Sequence, residues 1–305
     1  MSVDERLPRD PRTEPDGFHA LERVRNGLGP ERWDELRALA RDLLSSGRLS
    51  PRLLFTVTTG RSGTRALAHL SSGFQGVTAT HEPKPSFADA LRSANRFPGA
   101  AAEFWVRRKL PAILPARTAC YVETSHLAGL GFLEELALLG VPFELVLLSR
   151  PARSVALSLW RLDTIPGRTL RGLRYYASPL DPCRLSLSED VITALHDYQL
   201  CYWYALEVAE RAAAWERRSE AGGPPVHRID ASELDAPGAA RLLGDRLGFG
   251  DRRFGADLFS ESRRRGHRND KRTKKLDRDL DAAALERLES EVHALVDPLT
   301  PASSS

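Results

Sequence analysis

The stretch "TTGRSGT" at 58–64 sets Gly60, Arg61, Ser62, Gly63 and Thr64 between an apolar run, "LLFTV", and "RALAHLSS". Where a strand turns into a helix, free backbone N–H groups and the helix dipole favour an anion. Ser62 and Thr64 add hydroxyl donors, Arg61 adds a planar cationic fork, and Arg65 a second guanidinium. The same residues also suit an ordinary tight turn. A triphosphate loop needs G-x-x-x-x-G-K-[ST], whereas Gly60 and Gly63 are three apart and no Gly-Lys pair follows. A second cation, Arg150, ends the apolar run "PFELVLLS", and Ser158 lies eight residues on. An arginine at a strand end and a hydroxyl about two turns into the next helix could pin a second anionic group. They could also simply cap the sheet and decorate a helix. Two groups can accept a proton nearby in the order of the chain: Glu82 in "THEP" and His126 in "ETSHL".

These residues need a frame that brings them together. "RLLFTVTT", "VTATHEPK", "ACYVETSHL", "PFELVLLSR" and "PPVHRIDASEL" read as strands, several with their polar residues bunched at the C-terminal end. Between them "SGTRALAHLSS", "FLEELALLG" and "PARSVALSLWRL" read as helices, and "DVITALHDYQLCYWYALEVAERAAAWERR" as one long helix. Near the start, "PERWDELRALARDLLS" places Trp33, Leu36, Leu39, Leu43 and Leu44 at helical spacing. The alternation predicts a single α/β domain over 17–300, a three-layer sandwich on a central parallel sheet. Ligands of such sheets sit outside the carboxyl ends of the strands. That rule sends "TTGRSGT", "HEP", "ETSH" and "SRPARS" to one crevice. His69, His196 and His227 lack metal spacing and read as structural, and the aromatic "YQLCYWYAL" reads as core.

The chain has 305 residues, 42% of them hydrophobic, with a formal net charge of only +3. This suits a globular core and gives no overall polyelectrolyte signal for nucleic acid. Basic charge is concentrated in "SRRRGHRNDKRTKK". The three cysteines, Cys120, Cys183 and Cys201, have no paired spacing and fit free thiols in a reducing compartment. Residues 1–16 are polar and proline-containing, and are expected to be disordered. Without an apolar leader or a membrane-length run, the expected address is the cytoplasm, with no membrane partner.

Taken together, these motifs resemble the sulfotransferases that use 3′-phosphoadenosine 5′-phosphosulfate (PAPS). In that family a [KR]-S-G-[TS]-T loop grips the 5′-phosphosulfate, and "RSGTR" at 61–65 is similar. An Arg at a strand end and a Ser eight later form its 3′-phosphate site, matched by Arg150 and Ser158. A third element near the C-terminus, close to R-K-G-x-x-G-D-W-K, is matched at Arg264, Arg265, Gly266 and Asp270, with Asn269 at the second glycine and no following tryptophan. The resemblance covers about residues 51–275. Arg65 departs from a usual threonine, Ala66 from a tryptophan that stacks on adenine, and Pro151 from a common Asp or Asn.

The resemblance implies a P-loop-like nucleotide-binding core and PAPS as co-substrate, with no metal. It also implies sulfuryl transfer to a hydroxyl of a small-molecule, carbohydrate or natural-product acceptor. Arg61 would follow charge onto the leaving phosphate. Glu82, 21 residues after Arg61, stands where the tyrosylprotein branch places its glutamate base, and His126 where the cytosolic branch places a histidine base. Glu82 is favoured, since a nearby guanidinium would keep its carboxyl ionised. Competing readings are a P-loop kinase-like phosphotransferase and a nucleic-acid-binding protein using 263–275. The Pro/Gly/Arg-rich segment 161–190 reads as a lid for the acceptor.

Overall fold

The computed structural model describes residues 18–46, 51–115, 118–249, 253–255 and 276–296. Five strands, β1 (Arg52–Thr58), β2 (Val77–His81), β3 (Cys120–Thr124), β4 (Glu144–Ser149) and β5 (Val226–Asp230), form one sheet in the order β2-β3-β1-β4-β5. All its pairings are parallel. Leu54 of β1 sits opposite Val122 of β3 on one side and Glu144 of β4 on the other. The central strands β1, β3 and β4 are largely apolar because both their faces are buried, β4 most fully.

Side chains alternate across that sheet, and the alternation separates two cores. Leu53, Phe55, Val57, Leu145 and Leu147 face one layer of helices, while Leu54, Val146 and Leu148 face the other. The helices in chain order are α1 (Phe18–Leu28), α2 (Pro30–Ser46), α3 (Thr64–Ser72), α4 (Leu91–Arg96), α5 (Ala100–Phe104), α6 (Leu110–Ile113), α7 (Phe132–Leu138), α8 (Ala152–Arg161), α9 (Leu170–Tyr175), α10 (Glu189–Ala194), α11 (Asp197–Glu220), α12 (Ala239–Arg246) and α13 (Ala282–Val296). Helix α3 packs its Leu67 and Leu70 with Leu243 of α12 on the second face. On the first, Val155 and Leu159 of α8 pack with Leu200 and Trp203 of α11. The result is a helix–sheet–helix sandwich.

The helix after β1 and the helix after β4 therefore leave the sheet on opposite faces, although β1 and β4 are neighbours. Their loops diverge and open a crevice at the carboxyl ends of the two strands, the switch point of the topology. The α/β expectation holds to this level.

One expectation about helices needs correction. The single helix expected from Asp190 is broken into α10 and α11 at Leu195–His196. The His196 ring accepts the Tyr198 N–H, and the Gln199 side chain takes the His196 N–H, so a capping box starts α11 there. Segment 161–190, read as a lid, contains a helix, α9, and Arg168 ties it down by donating to Asp197 at 2.8 Å and to the Leu195 carbonyl at 2.6 Å. Helix α13, which the sequence reading does not include, packs on α11, where Glu289 accepts the Tyr198 hydroxyl, and is tied to α8 by the Glu289–Arg153 pair at 2.7 Å. The three cysteines are separate, buried thiols. No helix among the described residues is long and apolar enough to cross a membrane.

Candidate active site

The turn after β1 is built from its own backbone and hydroxyls. Thr58 Oγ1 lies 2.6 Å from the Leu148 carbonyl, which pins the end of β1 to β4. Beneath the loop Ser62 Oγ lies 2.6 Å from the Thr59 carbonyl and 2.5 Å from Thr58 Oγ1. Ser62 is fully buried, and its one hydroxyl proton is used inside the turn. The expectation that its hydroxyl faces an anion needs revision: its backbone N–H is what it can offer. Gly63, at φ +88°, holds the left-handed conformation that begins α3, and glycine adopts it without a Cβ penalty. Thr64 opens the helix, and among the described residues no hydrogen bond takes up its hydroxyl. Arg61 (φ +71°) has left-handed backbone without being glycine, and Glu82 (φ +49°) shares this property.

Across the switch point the two predicted cationic elements meet. Arg61 Nε donates to Ser158 Oγ at 3.1 Å, and Arg150 donates to the Arg61 carbonyl. Arg61, Arg65 and Arg150 are exposed, so three guanidinium groups rim the crevice. Arg264, Arg265 and Gly266 lie outside the described residues.

Glu82 and His126 are partners, not alternatives. Insertion of β3 between β2 and β1 places them side by side, with His126 Nδ1 2.8 Å from Glu82 Oε1. Thr56 fixes the approach, bonding both the Ser125 carbonyl and the Ser125 N–H at 2.9 Å. His126 Nε2 lies 2.7 Å from the Tyr175 carbonyl. A carbonyl only accepts, so Nε2 carries a proton, and one further proton is shared between Nδ1 and Oε1. No ring nitrogen is left to accept a proton from a substrate. Glu82 has a second oxygen, Oε2, that no described residue hydrogen-bonds, on a side chain 34% exposed. Burial raises the Glu82 carboxyl. The hydrogen bond from His126 and the charges of His126, His81 and Arg65 outweigh that and hold it below the usual carboxylate range. It is ionised at neutral pH.

Two tyrosines complete the floor, and sequence reading did not single them out. The Tyr204 hydroxyl accepts the Gly60 N–H at 3.3 Å, and the Tyr176 ring packs edge-on to Tyr204 with centroids 5.1 Å apart. A Cβ at Gly60 would lie 2.8 Å from the Tyr176 oxygen, so the close approach of this ring demands glycine. A third unforeseen group, Lys109, donates to the Pro85 carbonyl at 2.8 Å and pairs with buried Glu123 at 2.6 Å. It thereby anchors the loop that begins with Glu82. Tyr204 was visible in the sequence only as part of an aromatic run, and Lys109 only as one more lysine. No local pattern marks such tertiary contacts. His227, read as structural, pairs with Glu144 at 2.7 Å, away from this crevice.

Fold and site together define an α/β protein with an arginine-rimmed crevice at its switch point and, at the carboxyl end of the edge strand β2, an ionised carboxylate. Neither protein-family models nor curated proteins yield a match to the chain.

Proposed function

We propose that this protein is a PAPS-dependent sulfotransferase that moves a sulfuryl group to a hydroxyl of a small-molecule, carbohydrate or natural-product acceptor. The observation that carries the reading is the junction of the Arg61 loop with Arg150 and Ser158, beside an ionised Glu82. The loop N–H groups and Arg61 would hold the 5′-phosphosulfate, and Arg150 with Ser158 the 3′-phosphate. In the transfer, the bond between sulfur and the phosphate's bridging oxygen breaks as the acceptor oxygen bonds to sulfur. The acceptor's proton passes to Glu82 Oε2, and adenosine 3′,5′-bisphosphate leaves with the electron pair. Arg61 meets the charge that grows on that leaving oxygen. His126 holds Glu82 by its other oxygen and so aims Oε2. A cytoplasmic place of action belongs to the same reading.

The test is calorimetric titration with adenosine 3′,5′-bisphosphate, ATP and duplex DNA, followed by transfer from labelled PAPS to a library of hydroxyl acceptors. Preference for the bisphosphate supports the reading. Binding of ATP alone would favour the phosphotransferase alternative, and of DNA alone a nucleic-acid-binding role.

Arg150→Ala is expected to weaken bisphosphate binding about 10- to 100-fold, the loss of a hydrogen bond to a charged group worth roughly 1.5–3 kcal/mol. Much of kcat should survive at saturating PAPS. An unchanged dissociation constant in Arg150→Ala would remove this residue from the phosphate site.

A further inference from the structure

We propose that the Tyr176 hydroxyl is a further substrate-contacting group, donating a hydrogen bond to an anionic oxygen of the group held between Arg61 and Glu82. The identity of that group rests on the sulfuryl-transfer reading; the place of the hydroxyl rests on geometry alone. Tyr176 is 8% exposed, and its oxygen lies against Gly60, one residue from Arg61. Its ring also packs on His126, centroids 5.0 Å apart, which places it between the anion loop and the Glu82–His126 pair.

A buried phenol ordinarily finds a partner. The other buried tyrosines obey the rule: Tyr121 donates to Glu123, Tyr198 to Glu289, Tyr202 pairs with His293, and Tyr204 accepts from Gly60. Among the described residues nothing hydrogen-bonds the Tyr176 hydroxyl. The residue is nine-tenths buried but its hydroxyl oxygen is not among the buried unpartnered atoms, so a fixed ring presents an open donor, with no partner among the described residues, to whatever enters the crevice. Burial, reinforced by the Glu82 charge and only partly opposed by Arg61, pushes this phenol well above its usual range. It stays protonated and acts as a donor, not as a base.

The backbone around it is fixed in advance. The Tyr175 carbonyl takes the His126 Nε2 proton at 2.7 Å, and the Tyr176 carbonyl accepts from Arg92 at 2.9 Å. Arg92 is itself paired with Asp181 at 2.7 Å. A donor held this way needs no reorganisation when charge develops, which is what makes such groups effective. Segment 161–190 thus contributes a fixed donor to the site.

The test compares the wild-type protein with Tyr176→Phe, which keeps the ring packing and removes only the hydroxyl. Three probes are titrated by calorimetry: adenosine 3′,5′-bisphosphate, PAPS and inorganic pyrophosphate, whose two linked tetrahedral anions need no nucleoside. We expect Tyr176→Phe to bind the bisphosphate within about twofold of wild type. PAPS and pyrophosphate should bind about tenfold more weakly, and kcat should fall roughly 10- to 100-fold with little change in acceptor KM. The thermal midpoint should be unchanged, because no internal hydrogen bond is lost. Equal PAPS and pyrophosphate affinities and equal kcat in the two proteins overturn the proposal. So does a loss of all three probes together with a lowered midpoint, which assigns Tyr176 to the fold. A wild-type protein that binds pyrophosphate but not PAPS removes the sulfuryl reading. The Tyr176 assignment is then decided by the pyrophosphate ratio. Wild type binding neither overturns both.

Discussion

Glu82→Gln is expected to lower kcat by roughly 10²- to 10⁴-fold, the usual contribution of a positioned general base. Affinity for adenosine 3′,5′-bisphosphate should stay near wild type, since no contact to the phosphate elements is lost. The amide keeps the shape and can still bond His126, but neither of its atoms can take a proton from a hydroxyl. His126→Asn should cost less, because it leaves the base in place and removes only the group that aims it. The pH profile gives an independent reading. Glu82 is held below its unperturbed value of 4.5 in the folded protein. The active carboxylate is therefore fully present above that value and lost only as pH falls through the lowered one. The acidic limb of kcat/KM should lie below pH 4.5, and the same group contributes stability over the same range, lost on acidification. A limb near the ordinary histidine value of about 6.5 would move the proton-accepting role to an imidazole. Full activity in Glu82→Gln would remove the residue from the mechanism.

The largest effect on stability is expected from Lys109. This lysine and Glu123 are 1% and 0% exposed, 2.6 Å apart, and the Tyr121 hydroxyl donates to the other Glu123 oxygen at 2.8 Å. Burial alone pushes the lysine down and the glutamate up, towards their neutral forms, and their mutual attraction opposes both. Removing one member leaves an uncompensated charge in the core, which costs about 3–5 kcal/mol. A natural domain has only roughly 5–15 kcal/mol to lose. Lys109→Ala should therefore shift the urea midpoint far down, and Glu123→Ala likewise. The double change Lys109→Met with Glu123→Leu should recover most of the loss, since an apolar pair of similar volume faces no desolvation penalty. A single-variant loss under about 1 kcal/mol would mean that water reaches the pair. Lys109 ends a π-turn, Trp105–Lys109, a distortion often found near functional sites. Its second bond, to the Pro85 carbonyl, links this buried pair to the loop carrying Glu82.

The sheet was legible because β4 carries an uninterrupted apolar run and β1 one broken only by Thr56, a pattern that doubly covered strands need. The arginine elements were legible because each is local: Arg61 to Thr64 in one turn, Arg150 and Ser158 two helical turns apart. Pairing of Glu82 with His126 was not, because it follows from β3 lying between β2 and β1, and strand order is not written in either motif. Read separately, the two residues looked like rivals for one role. The break before α11 was missed because its capping box uses His196 in place of the usual serine or threonine. Buried Ser62 shows the opposite limit: the residue type suited an anion site, yet its hydroxyl closes the turn on itself.

Arg61 and Glu82, the residues assigned the electrostatic and proton-accepting roles, are two of the three described non-glycine residues with left-handed backbone. Such a conformation costs roughly 1–3 kcal/mol per residue, and glycine would relieve it at both positions. If the proposed transfer reaction is right, activity and thermal resilience are set against each other at the same two codons. Arg61→Gly should melt no lower than wild type while losing its guanidinium, as judged by calorimetry beside a turnover assay. On that reading, selection for heat tolerance alone would drift towards a sturdier protein with an empty-handed crevice, and selection for turnover would keep the strained pair.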